Sequence, residues 1–215
     1  MSGRSTIEAI KRVKPVLAFT QRTPMTNAKP NILILYAHPR PHRSRVNRRL
    51  VQAASVLPNV HLHDLYETYP DFHINVRHEQ ALLKDADLVI FQHPIQWYSM
   101  PALLKLWVDT VLTQGWAFGP GGDALRGKDY WLVATTGASE DAYQEKGAHQ
   151  WPFSAFLPPF QQTAQLCGMH WRAPHILHGA HSVDETTLDA HLALYQERLT
   201  TYPHWPEMAT SDRNR

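Results

Sequence analysis

The sequence predicts a doubly wound α/β fold, a five-stranded parallel sheet held between two layers of helices. Three observations predict it. Strand-like and helix-like segments alternate along the chain, the order that a parallel sheet with crossover helices requires. The runs Val89-Ile90-Phe91 and Trp131-Leu132-Val133-Ala134 are short and continuously apolar, as expected of strands covered on both faces. At 215 residues the chain suits one domain with a substantial single core, and it carries no internal repeat or low-complexity linker.

Taken in order, Asn31 to Leu35 read as a buried strand, part of a strand near residues 31–36. Ser44 then supplies an N-cap for an amphipathic helix near 44–56. A strand near 59–64 and a helix near 77–84 lead to the apolar strand near 87–92. Pro101 suits the first turn of a helix near 101–113. The apolar strand near 130–135 precedes a helix near 153–167, where Cys167 reads as a small buried residue before a helix-ending Gly168. The weakest strand signal, near 173–178, leads into a last helix near 184–200.

Composition bounds the function. The chain is 43% hydrophobic and 19% charged, and no run approaches the roughly 18 apolar residues of a membrane-spanning helix. One cysteine cannot form an internal disulfide and fits a reducing, cytoplasmic setting, and the start of the chain lacks a secretory-signal pattern. The net charge of +2 is uneven: residues 1–30 hold six of the 21 Lys and Arg and one of the 19 Asp and Glu, leaving 15 against 18 elsewhere. The basic balance therefore belongs to the leader and argues against nucleic-acid binding by the fold. Residues 1–28 are expected to be a flexible basic extension, with Met25 as an alternative start and an anionic membrane surface or a partner as its sharper use. Residues 29–204 form the expected domain and 205–215 a loose tail.

A doubly wound sheet binds its ligand beyond the C-terminal strand ends, at the switch point. Three loops leave predicted strand ends there. The first, Tyr36-Ala37-His38-Pro39 onward, contains no glycine and matches neither a dinucleotide fingerprint nor a phosphate-binding P-loop. Ser44 can nevertheless cap the helix and offer its hydroxyl to a phosphate oxygen among the free amides of a helix start, with Arg45, Asn47 and His38 as further donors. The same residues would also serve as an ordinary N-cap on a basic helix. The second loop carries Gln96-Trp97-Tyr98, whose flat rings suit stacking on a planar heterocycle, with a core position for Trp97 as the lesser alternative. In the third, Thr135-Thr136-Gly137-Ala138, the glycine allows close backbone approach. Tyr143 and His149 follow, a phenol and an imidazole able to donate hydrogen bonds to a developing anion.

On these motifs, together with "LYETYPDF", "HPIQWYSMPALLKLW" and "GWAFGPGGDALRGK", the chain resembles the flavodoxin-like NAD(P)H:quinone oxidoreductases, the family of DT-diaphorase. Within it the resemblance is strongest to the KefF-type ancillary subunits of the glutathione-gated potassium-efflux system, and it covers roughly residues 31–200. The resemblance implies roles by position. His38 and Ser44, Arg45, Val46 and Asn47 match the segment that holds the flavin phosphate. Pro94, Ile95, Gln96 and Trp97 match the loop along the isoalloxazine edge, and Thr135, Thr136, Gly137 and Ala138 the loop on its other side. Tyr143 and His149 match the pair that neutralises charge on the reduced flavin. Trp97, Tyr98 and Phe118 match the aromatic wall where nicotinamide and quinone alternate. Ala138 stands where many relatives have a second glycine, so loop geometry is expected to differ there.

The implied cofactor is FMN, whose single terminal phosphate needs no glycine-rich wrap, with FAD as the alternative found in larger relatives. The implied reaction is ping-pong transfer of two electrons as hydride, from NADH or NADPH to flavin to quinone. The implied assembly is a homodimer whose second copy approaches the Trp107–Phe118 region. A potassium-efflux antiporter is the implied further partner, with a peripheral position on the inner face of the cell membrane. The rival is a regulatory flavin-binding subunit of a potassium channel with incidental turnover, which would not require the Tyr143 and His149 pair. No metal is expected: despite 14 histidines there is no H-E-x-x-H or Cys-His cluster, and His175, His178 and His181 look scattered.

Overall fold

The structure is a computed structural model that describes residues 29–205. The expectations for residues 1–28 and 206–215 lie outside the described residues. The strands are β1 (Ile32–Tyr36), β2 (Val60–Asp64), β3 (Leu88–Pro94), β4 (Asp129–Thr135) and β5 (His170–Leu177). The helices are α1 (Arg45–Ser55), α2 (Leu65–Thr68), α3 (Val76–Asp85), α4 (Ala102–Val111), α5 (Pro158–Leu166) and α6 (Glu185–Thr201). All strand pairs are parallel, in the order β2-β1-β3-β4-β5. This order places the switch point beside β1 and β3, so the loops after these strands and after the neighbouring β4 share one edge.

The apolar runs divide between two cores because alternate strand residues face opposite layers. Leu33, Leu35, Val89, Phe91, Tyr130 and Leu132 pack against α3, α4 and α5. Ile32, Ile34, Leu88, Ile90, Trp131 and Val133 pack against α1 and α6. β1, β3 and β4 are therefore buried on both faces, whereas the edge strands β2 and β5 are partly exposed.

Four details differ from the sequence expectation. The short α2 was not expected; Asp64 nucleates it by accepting hydrogen bonds from Tyr66 N and Glu67 N at 3.0 and 3.3 Å. The helix expected near 153–167 begins only at Pro158, because a proline pair suits a helix start and not its interior; Phe153–Phe156 form a separate 3-10 turn. Trp205 is not a loose tail residue: it packs on Trp131 and donates from Nε1 to Arg198 O at 2.6 Å. Trp107 is not available to a second copy. Its side chain is fully buried and donates from Nε1 to Glu79 Oε2 at 2.8 Å. Burial pushes the Glu79 carboxyl up, but hydrogen bonds from His63, Tyr69 and Trp107 together hold it below the usual carboxylate range.

Three histidines, buried His93 and His175 and half-buried His191, are held in neutral form. Burial lowers His93 to about 4, and His175 and His191, stacked at 3.6 Å, to about 3 and about 4. The unfolded chain binds protons at these positions near pH 6.5 and the folded chain does not. Their contribution to stability is therefore complete above about pH 6.5 and is lost as pH falls from there toward about 4. For His93 alone, at about 1.4 kcal/mol per pH unit, the loss is roughly 3 kcal/mol. Urea unfolding at pH 7.0, 5.5 and 4.0 should show the midpoint falling throughout; a constant midpoint would remove this account.

Candidate active site

At the end of β1 the chain passes through a 3-10 turn, Pro41–Arg43, and enters α1 at Ser44. Ser44 Oγ accepts from Asn47 N at 3.1 Å, which leaves its own proton without an acceptor among the described residues. The Arg45 and Val46 amides belong to the first turn, where a helix supplies no internal acceptors. Their side chains go elsewhere. Arg45 donates from Nη2 to Val183 O at 2.9 Å and pairs with Glu185 at 2.9 Å, while Val46 is buried in the core beneath. The Arg45 guanidinium, expected as a donor to the ligand, is engaged in this structure by Val183 O and Glu185.

His38 Nδ1 accepts from Arg40 N at 3.1 Å, which fixes the neutral imidazole with its proton on Nε2, free to donate. Burial lowers the His38 pKa, so the neutral form dominates at neutral pH. Asn47 is buried, and Nδ2 donates to Thr135 Oγ1 at 2.9 Å, tying the first loop to the third; Asn47 Oδ1 has no partner among the described residues.

The second loop is a tight two-residue turn. Gln96 and Ser99 exchange backbone hydrogen bonds of 2.9 and 3.0 Å, and between them Trp97 and Tyr98 take φ of +48° and +63°. Such turns favour Asn and Gly, and a bulky residue held at positive φ costs roughly 1–3 kcal/mol. The conformation turns both rings out of the core, leaving Trp97 93% exposed. The reading of Trp97 as core is therefore excluded. The Ile95 and Gln96 amides are already bound, to Thr135 O at 2.7 Å and Ser99 O at 2.9 Å. The loop's free backbone donors thus start at Trp97, later than expected.

In the third loop, Thr136 N and Ala180 N join β4 to the chain after β5, while the Gly137 and Ala138 amides have no acceptor among the described residues. Ala138 lies outside the left-handed region, so alanine at this place strains nothing. Tyr143 is buried and stacks on His149 with ring centres 4.4 Å apart. Tyr98 reaches across, its hydroxyl 3.3 Å from His149 Nδ1, and stacks on Phe156 at 4.9 Å. Burial pushes the Tyr143 hydroxyl up, Thr136 opposes this and Tyr98 reinforces it. The phenol is therefore a proton donor at neutral pH.

The structure thus gathers His38, Ser44, Asn47, Thr135, Gly137 and Ala138 at one edge, with Tyr98, Tyr143 and His149 beside them. Phe118 is not among them. It lies between α4 and β4, the connection that starts at the opposite end of the sheet, and packs on the core. Sequence reasoning missed Phe153, Phe156 and His178, which complete the ring cluster around Tyr143. The double proline at 158–159 was a signal for the two phenylalanines, since it detaches them from the helix.

The profile of the family described as "Flavodoxin-like fold" matches residues 30–199. The chain belongs to the flavodoxin-like fold family. Curated flavodoxin-like relatives include the glutathione-regulated potassium-efflux system ancillary protein KefG of Pectobacterium atrosepticum, 48% identical over 80% of this chain and 94% of that protein. KefF of Salmonella schwarzengrund is 47% identical over 80% and 96%. Such similar identities leave the chain equally close to both types. Solved flavodoxin-like structures include a chain described as a thermophilic tryptophan halogenase of Streptomycin violaceusniger (TM-score 0.74, 39% identity, 78% and 97% covered). General stress protein 14 of Treponema denticola in complex with FMN (0.72, 34%, 80% and 97%) and a NADPH-quinone reductase of P. pentosaceus (0.71, 33%, 78% and 96%) share the architecture. No helix among the described residues is long and apolar enough to cross a membrane.

Proposed function

We propose that this protein is an FMN-dependent NAD(P)H:quinone oxidoreductase that also serves as an ancillary subunit of a potassium-efflux antiporter. The observation that carries this reading is the meeting, at one switch point, of a glycine-free anion cradle and a buried phenol stacked on a half-buried imidazole. The cradle fits a phosphomonoester: it offers the first-turn amides of α1, the unspent proton of Ser44 and the Nε2–H of His38. The orphaned Asn47 Oδ1 fits as well. Turning that amide over lets Oδ1 accept from Thr135 and presents Nδ2 as a donor, the arrangement an anion selects. Flavin, when bound, supplies the two-electron redox chemistry.

The chain's own residues orient the reactants and manage protons. The unbonded amides of Gly137 and Ala138 would hold the flavin ring, Tyr143 would donate a hydrogen bond to it, and His149 would share the Tyr143 proton. Trp97 and Tyr98 form the stacking wall for nicotinamide and quinone. Phe118 would complete that wall from a second copy in a homodimer. The names of the KefF and KefG relatives, ancillary proteins of a potassium-efflux system, support the efflux role.

The same names favour a second reading, a regulatory flavin-binding subunit with incidental turnover. Steady-state kinetics with NADPH or NADH and a soluble quinone separates the two. The enzyme reading expects parallel double-reciprocal lines, because both substrates use one slot in turn. No quinone-dependent turnover in the flavin-loaded protein would leave the regulatory reading.

A further inference from the structure

The Thr136 hydroxyl is a junction between two loops. It donates to Ala138 O at 2.7 Å, lies 3.0 Å from His178 Nδ1 and acts on the hydroxyl of Tyr143, whose ring centre is 5.3 Å from that of His178. A hydroxyl has a single proton. With that proton on Ala138 O, which can only accept, the His178 contact requires Nδ1–H to donate to Thr136 Oγ1. This fixes the neutral imidazole of His178 in the Nδ1–H tautomer. Phe153 stands edge-on to both rings, 4.9 Å from His178 and 5.2 Å from Tyr143, so one wedge locks the pair.

We propose that His178 is a positioning residue for Tyr143, acting through Thr136 to orient the phenol and to support it as it gives up its proton. The inference rests on the reading of Tyr143 as proton donor. As negative charge gathers on the Tyr143 oxygen, the Thr136 proton turns from Ala138 O toward it. The His178 Nδ1–H keeps the Thr136 oxygen hydrogen-bonded throughout, and Ala138 O still accepts from Gly179 N at 2.8 Å, so the turn leaves no acceptor bare. Only the Tyr143 proton leaves; no bond to His178 breaks.

The titratable groups around His178 are Glu140 from the 3-10 turn after β4, Tyr143 and His149 from the same loop, and Tyr98 from the loop after β3. Burial holds His178 below the usual imidazole range and Glu140 opposes this, so it is neutral at pH 7. As pH falls further it gains a positive charge, which favours the ionised phenol. The step that uses Tyr143 should therefore carry an acid-side inflection owned by His178.

Two arms test this. Long-range proton–nitrogen NMR of the protein without added flavin should show His178 as the Nδ1–H tautomer, titrating below 6.5, with the preference lost in Thr136→Val. In stopped flow with FMN-loaded protein at pH 7.5, His178→Phe should slow reduction by NAD(P)H about tenfold. His178→Asn, which returns a donor near the Nδ1 position, should restore most of the rate but lack the acid-side inflection. An Nε2–H tautomer in the wild type, or wild-type rate and pH profile in His178→Phe, would overturn the proposal. Failure of the underlying reading looks different: Tyr143→Phe would then react at the wild-type rate, whichever tautomer the NMR arm finds.

Discussion

Removing both side chains at the start of α1, Ser44→Ala with Asn47→Ala, is expected to weaken FMN binding by roughly 10²–10³-fold. A hydrogen bond to an ionised group is worth roughly 1.5–3 kcal/mol, and each substitution deletes one candidate bond to the phosphate. The two are coupled, because Ser44 Oγ accepts from Asn47 N and Asn47 Nδ2 bonds Thr135, so the double variant should lose less than the sum of the singles. Ser44→Ala also removes an N-cap, at about 1 kcal/mol of stability. Urea unfolding in parallel with a flavin fluorescence titration separates that loss from the loss of affinity. Arg45→Ala should matter far less to affinity, since its guanidinium is engaged by Val183 O and Glu185. Unchanged FMN affinity in the double variant would place the phosphate elsewhere.

Tyr143→Phe and His149→Gln should each retain the fold and flavin yet slow flavin reduction by NAD(P)H about 10–1000-fold, or about 1.4–4 kcal/mol. The rings stack 4.4 Å apart, and Tyr98 approaches His149 Nδ1 at 3.3 Å, so the three form one proton-bearing unit. Losses within such a unit fall short of additive, and the double variant should resemble the worse single one. Stopped-flow absorbance near about 450 nm reads the rate directly, in the band typical of oxidised flavin. Wild-type rates in both variants with full flavin content would favour the regulatory reading.

The parts of this fold that were legible in the sequence are those where one force dominates. β1, β3 and β4 are covered on both faces, so desolvation alone writes their apolar runs. β5 begins earlier than its sequence suggests because its first residues are held by pairing rather than burial: Arg172 binds Asp129 through two bonds of 2.8 and 2.9 Å, and Trp171 stacks on Tyr130. The same contrast holds in the site. Ser44 was readable because capping is local, whereas the redirection of Arg45 depends on α6, whose N-terminus lies some 140 positions away in sequence. His178 was overlooked because a fourth loop, after β5, enters the site only through the pairing of β4 with β5. The strained turn at Trp97 and Tyr98 lacks the Asn or Gly that would announce positive φ.

The central claim is that this chain holds a flavin which NAD(P)H reduces. One measurement addresses it most directly: the visible spectrum of FMN-reconstituted protein, freed of excess cofactor, before and after anaerobic addition of NADPH or NADH. The account predicts bands near about 375 and 450 nm at one flavin per chain, bleached by one equivalent of at least one of the two donors. A chain that takes up neither FMN nor FAD, or a bound flavin that neither donor bleaches, would contradict it.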